Sequence, residues 1–430
     1  MTSIDWFIDA RFGMFIHWGL YSNPGGVWKG RRITHNYSEW LQASEHIPRT
    51  EYRELAKLFN PSDFSADEWI QEARNAGMRY FLITAKHHDG FALWPTKASS
   101  FNVVDATPFK RDILGELAEA CRRYDIKLGF YYSHWQDWEG TGGDICTVHM
   151  ENEEYVHPSQ EEFEDYWQNK CLVQVRELIE HYDPSLLWFD SWDDYQGKNR
   201  DFTSGYLTPE RQDQLISLIR ELSDTCLVNS RIHYDAPSER VDYLSMMDNI
   251  FPSEGFDKPW ETSGTLNESW AYHSMDFGWK PTRQLLQNLI GNASLGGNYQ
   301  LNVGPMPDGR FQAAAIKRLR EMGAWLSTNG ESIYDTEKSP LEPMPWGRIT
   351  SRQLPDGRTR LYLHLYEFTP GKGVLINGLD ASAPCAAVLE TGQPIPTTPS
   401  KDGLWIGTPN ELRGCDLPVV VLDVAGEAFA

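Results

Sequence analysis

Three features of this sequence predict an α/β fold, a (β/α)8-like (TIM) barrel followed by a small C-terminal antiparallel β-sandwich. From residue 12 to about 305, short apolar strands alternate with amphipathic helices, the pattern of a parallel sheet covered by helices. No GxGxxG or GxxxxGK phosphate loop follows any strand, so a closed barrel suits the text better than a doubly wound nucleotide-binding sheet. After about residue 340 the helical signal fades, and alternating strands separated by turn residues take over. On this reading residues 1–337 form the barrel and residues 338–430 the sandwich.

The barrel strands are expected at Phe12–His17, Tyr80–Ala85, Leu128–Ser133, Leu186–Asp190, Leu227–Arg231, Tyr243–Met247 and Tyr299–Val303. Ser65-Ala66-Asp67-Glu68 is a capping box opening a helix that Gly77 closes, and the strand at Tyr80 follows at once. Over 161–182, Phe163, Trp167, Val175, Leu178 and Ile179 recur at helical spacing, with acids on the outer face. In the C-terminal part Leu354-Pro355-Asp356-Gly357 reads as a turn. Strands are expected there at Arg360–Glu367, Gly373–Ile376, Ala387–Glu390 and Val419–Val424.

Composition narrows the function. Lys and Arg number 39 against 61 Asp and Glu, a net charge of −22, which repels nucleic acid and anionic membranes as partners. Aromatic residues make up 13%, with 17 tryptophans, a supply that suits stacking on sugar faces. Six cysteines (Cys121, Cys146, Cys171, Cys226, Cys385, Cys415) show no CxxC pair, so mostly buried thiols are expected rather than a disulfide framework or a zinc site. No stretch approaches the roughly 20 apolar residues of a membrane span, and the first residues carry no basic-then-apolar leader. The expectation is a soluble, cytoplasmic chain. A homo-oligomer stays open.

A barrel places its active site at the carboxyl ends of its strands, and the reactive side chains fall there. In Leu186-Leu187-Trp188-Phe189-Asp190-Ser191-Trp192 an apolar strand runs into a carboxylate, with Trp188 two residues back on the same face. The first strand ends in His17, beside a tryptophan. Lys86-His87-His88-Asp89-Gly90 puts two histidines after the second strand, and both reach one site only if the strand has ended and the chain is turning, as Gly90 suggests. Adjacent histidines do not match the i, i+4 zinc spacing, so neither metal nor other cofactor is expected. Tyr131 and Tyr132 close the third strand, with one of the pair expected to pack between barrel and helices. Glu39-Trp40 lies in the long loop after the first strand, where it can hydrogen-bond and stack a sugar or cap the residues that follow. Arg231, at the end of the fifth strand, needs a carboxylate partner if buried, Asp190 or a second acid.

Glycoside hydrolysis requires a pair of carboxylates. One is the nucleophile, and the other protonates the leaving oxygen and then activates water; the two stand about 5 Å apart in retaining enzymes. For the second acid the residues offer Asp248, then Glu254, Glu261 and Glu268. A Ser/His/Asp hydrolase is a poor fit, since no GxSxG elbow is present.

Together these strings resemble the α-L-fucosidases of glycoside hydrolase family 29. The resemblance is carried by FGMFIHWG (12–19), YSEW (37–40), KHHDGFALW (86–94), FKRDILGELAEACR (109–122), GFYYS (129–133), LLWFD (186–190), NSR (229–231), PWE (259–261), ESWAY (268–272) and GGNYQLNVGP (296–305). It implies a barrel with a C-terminal β-sandwich and metal-free exo-hydrolysis of terminal α-L-fucose, with retention through a covalent intermediate. It implies Asp190 as nucleophile, and His17, Glu39, Trp40, His87, His88, Tyr131 and Arg231 as the fucose-binding set; Trp188, on the same face of the strand as Asp190, is expected to bind substrate with them. Trp270 is implied beside the C5 methyl group. Asp248 is the favoured acid/base and Glu261 the runner-up, whose neighbouring tryptophan could raise its pKa by desolvation. Ala271 departs from the glycine of the family's SWGY, and Tyr299-Gln300 from a more apolar pair.

Two further functions stay open on the residues. One is a glycosidase for a close relative such as α-L-galactose, separable by activity ratios on the two glycosides. The other is a carbohydrate-binding barrel without catalysis, which Asp190→Ala would leave unchanged. Choice of the group beyond the sugar is expected in loops such as 134–160 and 192–206, which carry no readable code.

Overall fold

The computed structural model describes residues 4–145, 155–191, 205–232, 239–379, 385–414 and 416–425. Its first part is built on eight parallel strands: β1 (Phe12–Ile16), β2 (Tyr80–Lys86), β3 (Lys127–Tyr132), β4 (Leu186–Phe189), β5 (Leu227–Val228), β6 (Leu244–Ser245), β7 (Trp260–Thr265) and β8 (Asn298–Val303). Their spatial order is β5-β4-β3-β2-β1-β8-β7-β6. The ring closes between β5 and β6 through a parallel bridge, Asn229 to Tyr243, with Asp242 N–H donating to Val228 O at 2.9 Å. That is the (β/α)8 barrel the alternating pattern predicts.

Seven strands coincide with the expected ones, with bounds shifted by a few residues. The eighth, β7, is missing from the sequence reading because Trp-Glu-Thr-Ser-Gly-Thr has no apolar run, although all six residues are buried. Several of its polar atoms find partners inside the barrel: Ser263 Oγ donates to Gln300 Oε1 at 2.7 Å, and Glu261 Oε1 accepts from Trp188. A buried polar group with a partner loses little on leaving water, so hydrophobicity does not mark this strand. β5 is shorter than expected, and Arg231 sits on the 3-10 turn Ser230–Ile232 that follows it. The helical stretch 161–182 is interrupted. Gln160–Tyr166, opened by a capping box at Ser159, passes through a π turn at Trp167–Cys171 into Leu172–Tyr182.

Two apolar layers hold the barrel. Between strands and helices lies the larger core, to which Trp69 and Ile70 of helix Ala66–Asn75 and Leu117 and Cys121 of Ile113–Tyr124 contribute. Inside the ring is a smaller, aromatic one, where Phe15, Tyr80, Tyr131, Trp188 and Tyr243 meet Phe7 of the N-terminal helix Asp5–Ala10. Phe7 lies 4.5 Å from the Tyr243 ring, so this helix contributes a plug to the barrel interior. Cys121, Cys171 and Cys226 are buried free thiols, Cys385 is exposed, and Cys146 and Cys415 lie outside the described residues.

The C-terminal part has a five-stranded antiparallel sheet in the order β9 (Gly347–Gln353), β10 (Arg358–Leu365), β16 (Val419–Ala425), β12 (Ala386–Val388), β13 (Pro394–Ile395). A three-stranded sheet of β11 (Val374–Asn377), β15 (Gly403–Ile406) and β14 (Thr397–Ser400) faces it across a common core that includes Leu361, Leu363, Val420, Ile376 and Leu404. Trp325 of helix Ala313–Asn329 donates to Leu417 O at 3.1 Å and so ties this sandwich to the barrel. No helix among the described residues is long and apolar enough to cross a membrane.

Candidate active site

The carboxyl ends of the barrel strands surround a cavity of about 450 Å³, within the usual size of a small-ligand site. Its lining includes His17, Glu39, Trp40, His87, His88, Tyr131, Trp188, Asp190, Arg231, Asp248 and Trp270. Of the acids offered from sequence as the second carboxylate, Asp248 is in this lining and Glu254, Glu261 and Glu268 are not.

Each side chain arrives by a local rule. Strand alternation brings Phe15 and His17 to the same face, and Trp188 with Asp190 likewise. β2 ends at Lys86 and the chain turns through Gly90, whose φ of +78° suits glycine. His87 and His88 are thereby freed from alternation, and their rings stand 4.2 Å apart in the same cavity. Lys86 points the other way, buried, with its ammonium 2.8 Å from Asp137. Of the two tyrosines, Tyr131 faces the cavity and donates to Asp190 Oδ2 at 2.7 Å, while Tyr132 packs outward and donates to Gln174 at 2.8 Å. Glu39 lies on the 3-10 turn Ser38–Trp40, where its Oε2 accepts from the Ala271 N–H at 3.0 Å. The backbone of Ala271 makes that contact, so alanine serves there as well as glycine.

Arg231 organises the acids. One terminal nitrogen lies 2.8 Å from Asp190 Oδ1 and the other 2.7 Å from Asp248 Oδ1, while Nε donates to Ser191 O at 3.1 Å. The guanidinium also sits 4.7 Å over the Trp188 ring. A planar fork with a carboxylate at each of its two prongs fixes both acids relative to one another. Burial works to lower the Arg231 pKa, but the two carboxylates more than reverse it, so the group stays charged. Asp190 is the more enclosed acid, its side chain 12% exposed against 39% for Asp248.

Burial also sets the remaining charges. It depresses His17 to about 4, despite the hydrogen bond with Asn302, and holds His87 and His88 well below the usual imidazole range. All three rings are therefore neutral near pH 7. Burial raises Glu39 to about 8, offset in part by the Ala271 N–H. Glu261 is likewise raised to about 8 by burial, beneath the cavity, where Oε1 accepts from Trp188 Nε1 at 2.6 Å and Ser245 Oγ at 3.0 Å. Glu254 and Glu268 are exposed and outside the cavity lining.

Several lining residues escaped the sequence reading: Phe15, His35, Tyr37, Met247, Ile250 and Ser263. Phe15 was recoverable from its i, i+2 relation to His17, and Tyr37 from its place in YSEW. His35 and Ile250 sit in loops and carry no periodic signal, whereas Met247 falls at the end of the expected strand Tyr243–Met247, which is only Leu244–Ser245 in the structure. Of the loops expected to contact a group beyond the sugar, 146–154 and 192–204 lie outside the described residues.

The model of the alpha-L-fucosidase family matches residues 2–331. The chain belongs to the α-L-fucosidase family. It is thus a glycoside hydrolase of the α-L-fucosidase type. Human plasma alpha-L-fucosidase is 30% identical over 345 residues, spanning 77% of this chain and 69% of that one. Alpha-L-fucosidase isoenzyme 1 from Paenibacillus thiaminolyticus superposes with a TM-score of 0.82 at 30% identity, covering 98% of each chain. An α-L-fucosidase of family GH29 from Bacteroides thetaiotaomicron, solved as a trapped covalent intermediate with 2-fluoro-fucosyl fluoride, superposes with a TM-score of 0.82 at 27% identity, covering 98% of this chain and 95% of that one.

Proposed function

We propose that this protein is an exo-acting, retaining α-L-fucosidase that removes terminal α-L-fucose from glycans or glycoconjugates. The observation that carries the reading is the pairing of Asp190 and Asp248 on the one guanidinium of Arg231 at the edge of a sugar-sized cavity. Asp190 is the nucleophile. Its carboxylate oxygen bonds to the anomeric carbon as the glycosidic C–O bond breaks, and Asp248 gives its proton to the departing oxygen. Asp248 then takes a proton from water, the water oxygen bonds to the anomeric carbon, and the Asp190 ester is released with the original configuration. Two inversions give net retention. The trapped intermediate of the Bacteroides relative supports this course.

Asp248 is preferred to Glu261 as proton donor because it lines the cavity and is partly open to solvent, whereas Glu261 is wholly buried under Trp188. A general acid must reach the leaving oxygen before its pKa matters. His17, Glu39, Trp40, His87, His88, Tyr131, Trp188 and Arg231 hold the sugar, and Trp270, 5.2 Å from the His17 ring, offers an indole to its deoxy edge. Both steps are met by carboxylates and no cofactor is assigned.

The test is kinetics on an aryl α-L-fucoside with Asp190→Gly, Asp248→Ala and Glu261→Ala, with azide added. Rescue of Asp190→Gly yielding β-fucosyl azide and of Asp248→Ala yielding the α-azide is expected. An α-azide from Glu261→Ala alone would move the acid to that position, and release of β-L-fucose by the native enzyme would end the retaining mechanism.

A further inference from the structure

The proton positions on two cavity histidines can be read from their partners. Asn302 Nδ2 donates to the Trp270 carbonyl at 2.6 Å, which turns its Oδ1 toward His17 Nδ1, also at 2.6 Å. A carbonyl oxygen only accepts, so His17 Nδ1 carries the hydrogen. Ser133 Oγ has one hydrogen and donates it to Gln136 O at 2.9 Å. Toward His88 Nδ1, 2.7 Å away, it therefore accepts, and that nitrogen too carries its ring's hydrogen. A separate distance agrees. His88 Nε2 stands 3.6 Å from Asp190 Oδ2, too far for an N–H···O bond, whereas Tyr131 reaches the same oxygen at 2.7 Å.

On the reading that the cavity holds a fucose-type sugar, we propose that Asn302 and Ser133 are positioning residues that lock His17 and His88 as Nδ1–H tautomers, so that both rings offer a bare Nε2 and the cavity selects sugars whose facing hydroxyls donate. Burial keeps both rings neutral, which leaves one hydrogen on each. Ser133 has a second effect. By drawing the His88 hydrogen to Nδ1 it keeps a donor away from Asp190, whose charge is needed for attack on the anomeric carbon. A shift of that hydrogen to Nε2 would place it against Asp190 Oδ2 and replace an acceptor for the sugar with a competitor.

The experiment uses the full chain labelled with 15N-histidine and free of ligand. Long-range proton–nitrogen spectra, assigned by single substitutions, are expected to show a protonated Nδ1 and a bare Nε2 for both His17 and His88. Ser133→Ala is expected to move the His88 hydrogen toward Nε2 and lower kcat about tenfold, the loss of one hydrogen bond, and Ser133→Thr to restore both. As competitive inhibitors, 2-, 3- and 4-deoxy-L-fucose are compared with their fluoro counterparts, since fluorine cannot donate. At two ring positions the fluoro sugar is expected to lose as much affinity as the deoxy sugar, about tenfold. An Nε2–H signal from either ring in the unaltered protein, or fluoro sugars binding within twofold of L-fucose at every position, overturns the proposal. Nδ1–H signals together with no inhibition by L-fucose would support the tautomer assignment and overturn the fucosidase reading alone.

Discussion

Replacing Arg231 with lysine tests the geometry on which the proposed catalysis depends. The charge is kept and the fork is lost. In the native site the guanidinium meets Asp190 at 2.8 Å, Asp248 at 2.7 Å and Ser191 O at 3.1 Å. A lysine ammonium is a single charge centre and cannot bridge both acids while reaching Ser191. One ion-pair contact and one hydrogen bond donated by the charged guanidinium, each worth roughly 1.5–3 kcal/mol, are then gone. The sum, about 3–6 kcal/mol, corresponds to a loss in kcat/KM between about 150-fold and about 25,000-fold. The loss should fall mainly on kcat, because the acids are misplaced at the moment of attack. Steady-state kinetics on an aryl α-L-fucoside, with thermal unfolding as a folding control, measures it. A folded Arg231→Lys enzyme within threefold of the native kcat/KM, or a defect confined to KM, would refute the bridging role. Arg231→Met should go further, because it removes the cation as well as the fork and leaves the two carboxylates without their shared partner.

Other outcomes follow from the same structure. Glu261 rises from the usual 4.5 to about 8, so its folded form holds a proton that the unfolded chain gives up. Stability from this group is full below pH 4.5 and is lost as pH rises through 8, a cost of roughly 4–5 kcal/mol above that point. Unfolding midpoints should therefore diverge between native protein and Glu261→Gln as pH goes from 4.5 to 9, with the variant the more stable at the alkaline end; parallel curves would count against a buried neutral acid. His17 works in the opposite sense: depressed to about 4, it contributes stability above pH 6.5 that is lost as pH falls through 4, and His17→Gln should flatten the acid side of the same curve. Lys86 and Asp137 are both buried and paired at 2.8 Å, directly behind the His87–His88 turn. Lys86→Met leaves the buried Asp137 with Lys170 as its remaining cation and should cost about 3–5 kcal/mol in denaturant unfolding, with kcat/KM falling as the turn loosens; an unchanged midpoint would deny the pair any structural weight.

Local chemistry made much of this protein legible. An apolar strand that ends in a histidine, a tyrosine or an aspartate announces both the strand and its reactive tip, because alternation and chain direction are properties of a few consecutive residues. Seven barrel strands, the break after Lys86 and the cavity positions of Trp188 and Asp190 were all readable on that basis. β7 was not, since Glu261 and Ser263 are buried only because Trp188, Ser245 and Gln300 stand opposite to satisfy them. The same holds for the second acid. Asp248 and Glu261 look alike as carboxylates near strand ends, and the sequence left Arg231 needing an acid without saying whether it takes one or two. Only the closed ring puts Asp248 on the free prong of Arg231 and sinks Glu261 beneath an indole. The histidine tautomers lie furthest from sequence, for His17 is set by Asn302, 285 residues away in the chain. Periodicity is written in neighbours, whereas a charge, a proton position or a shared ion pair is decided by groups that meet only when the barrel closes.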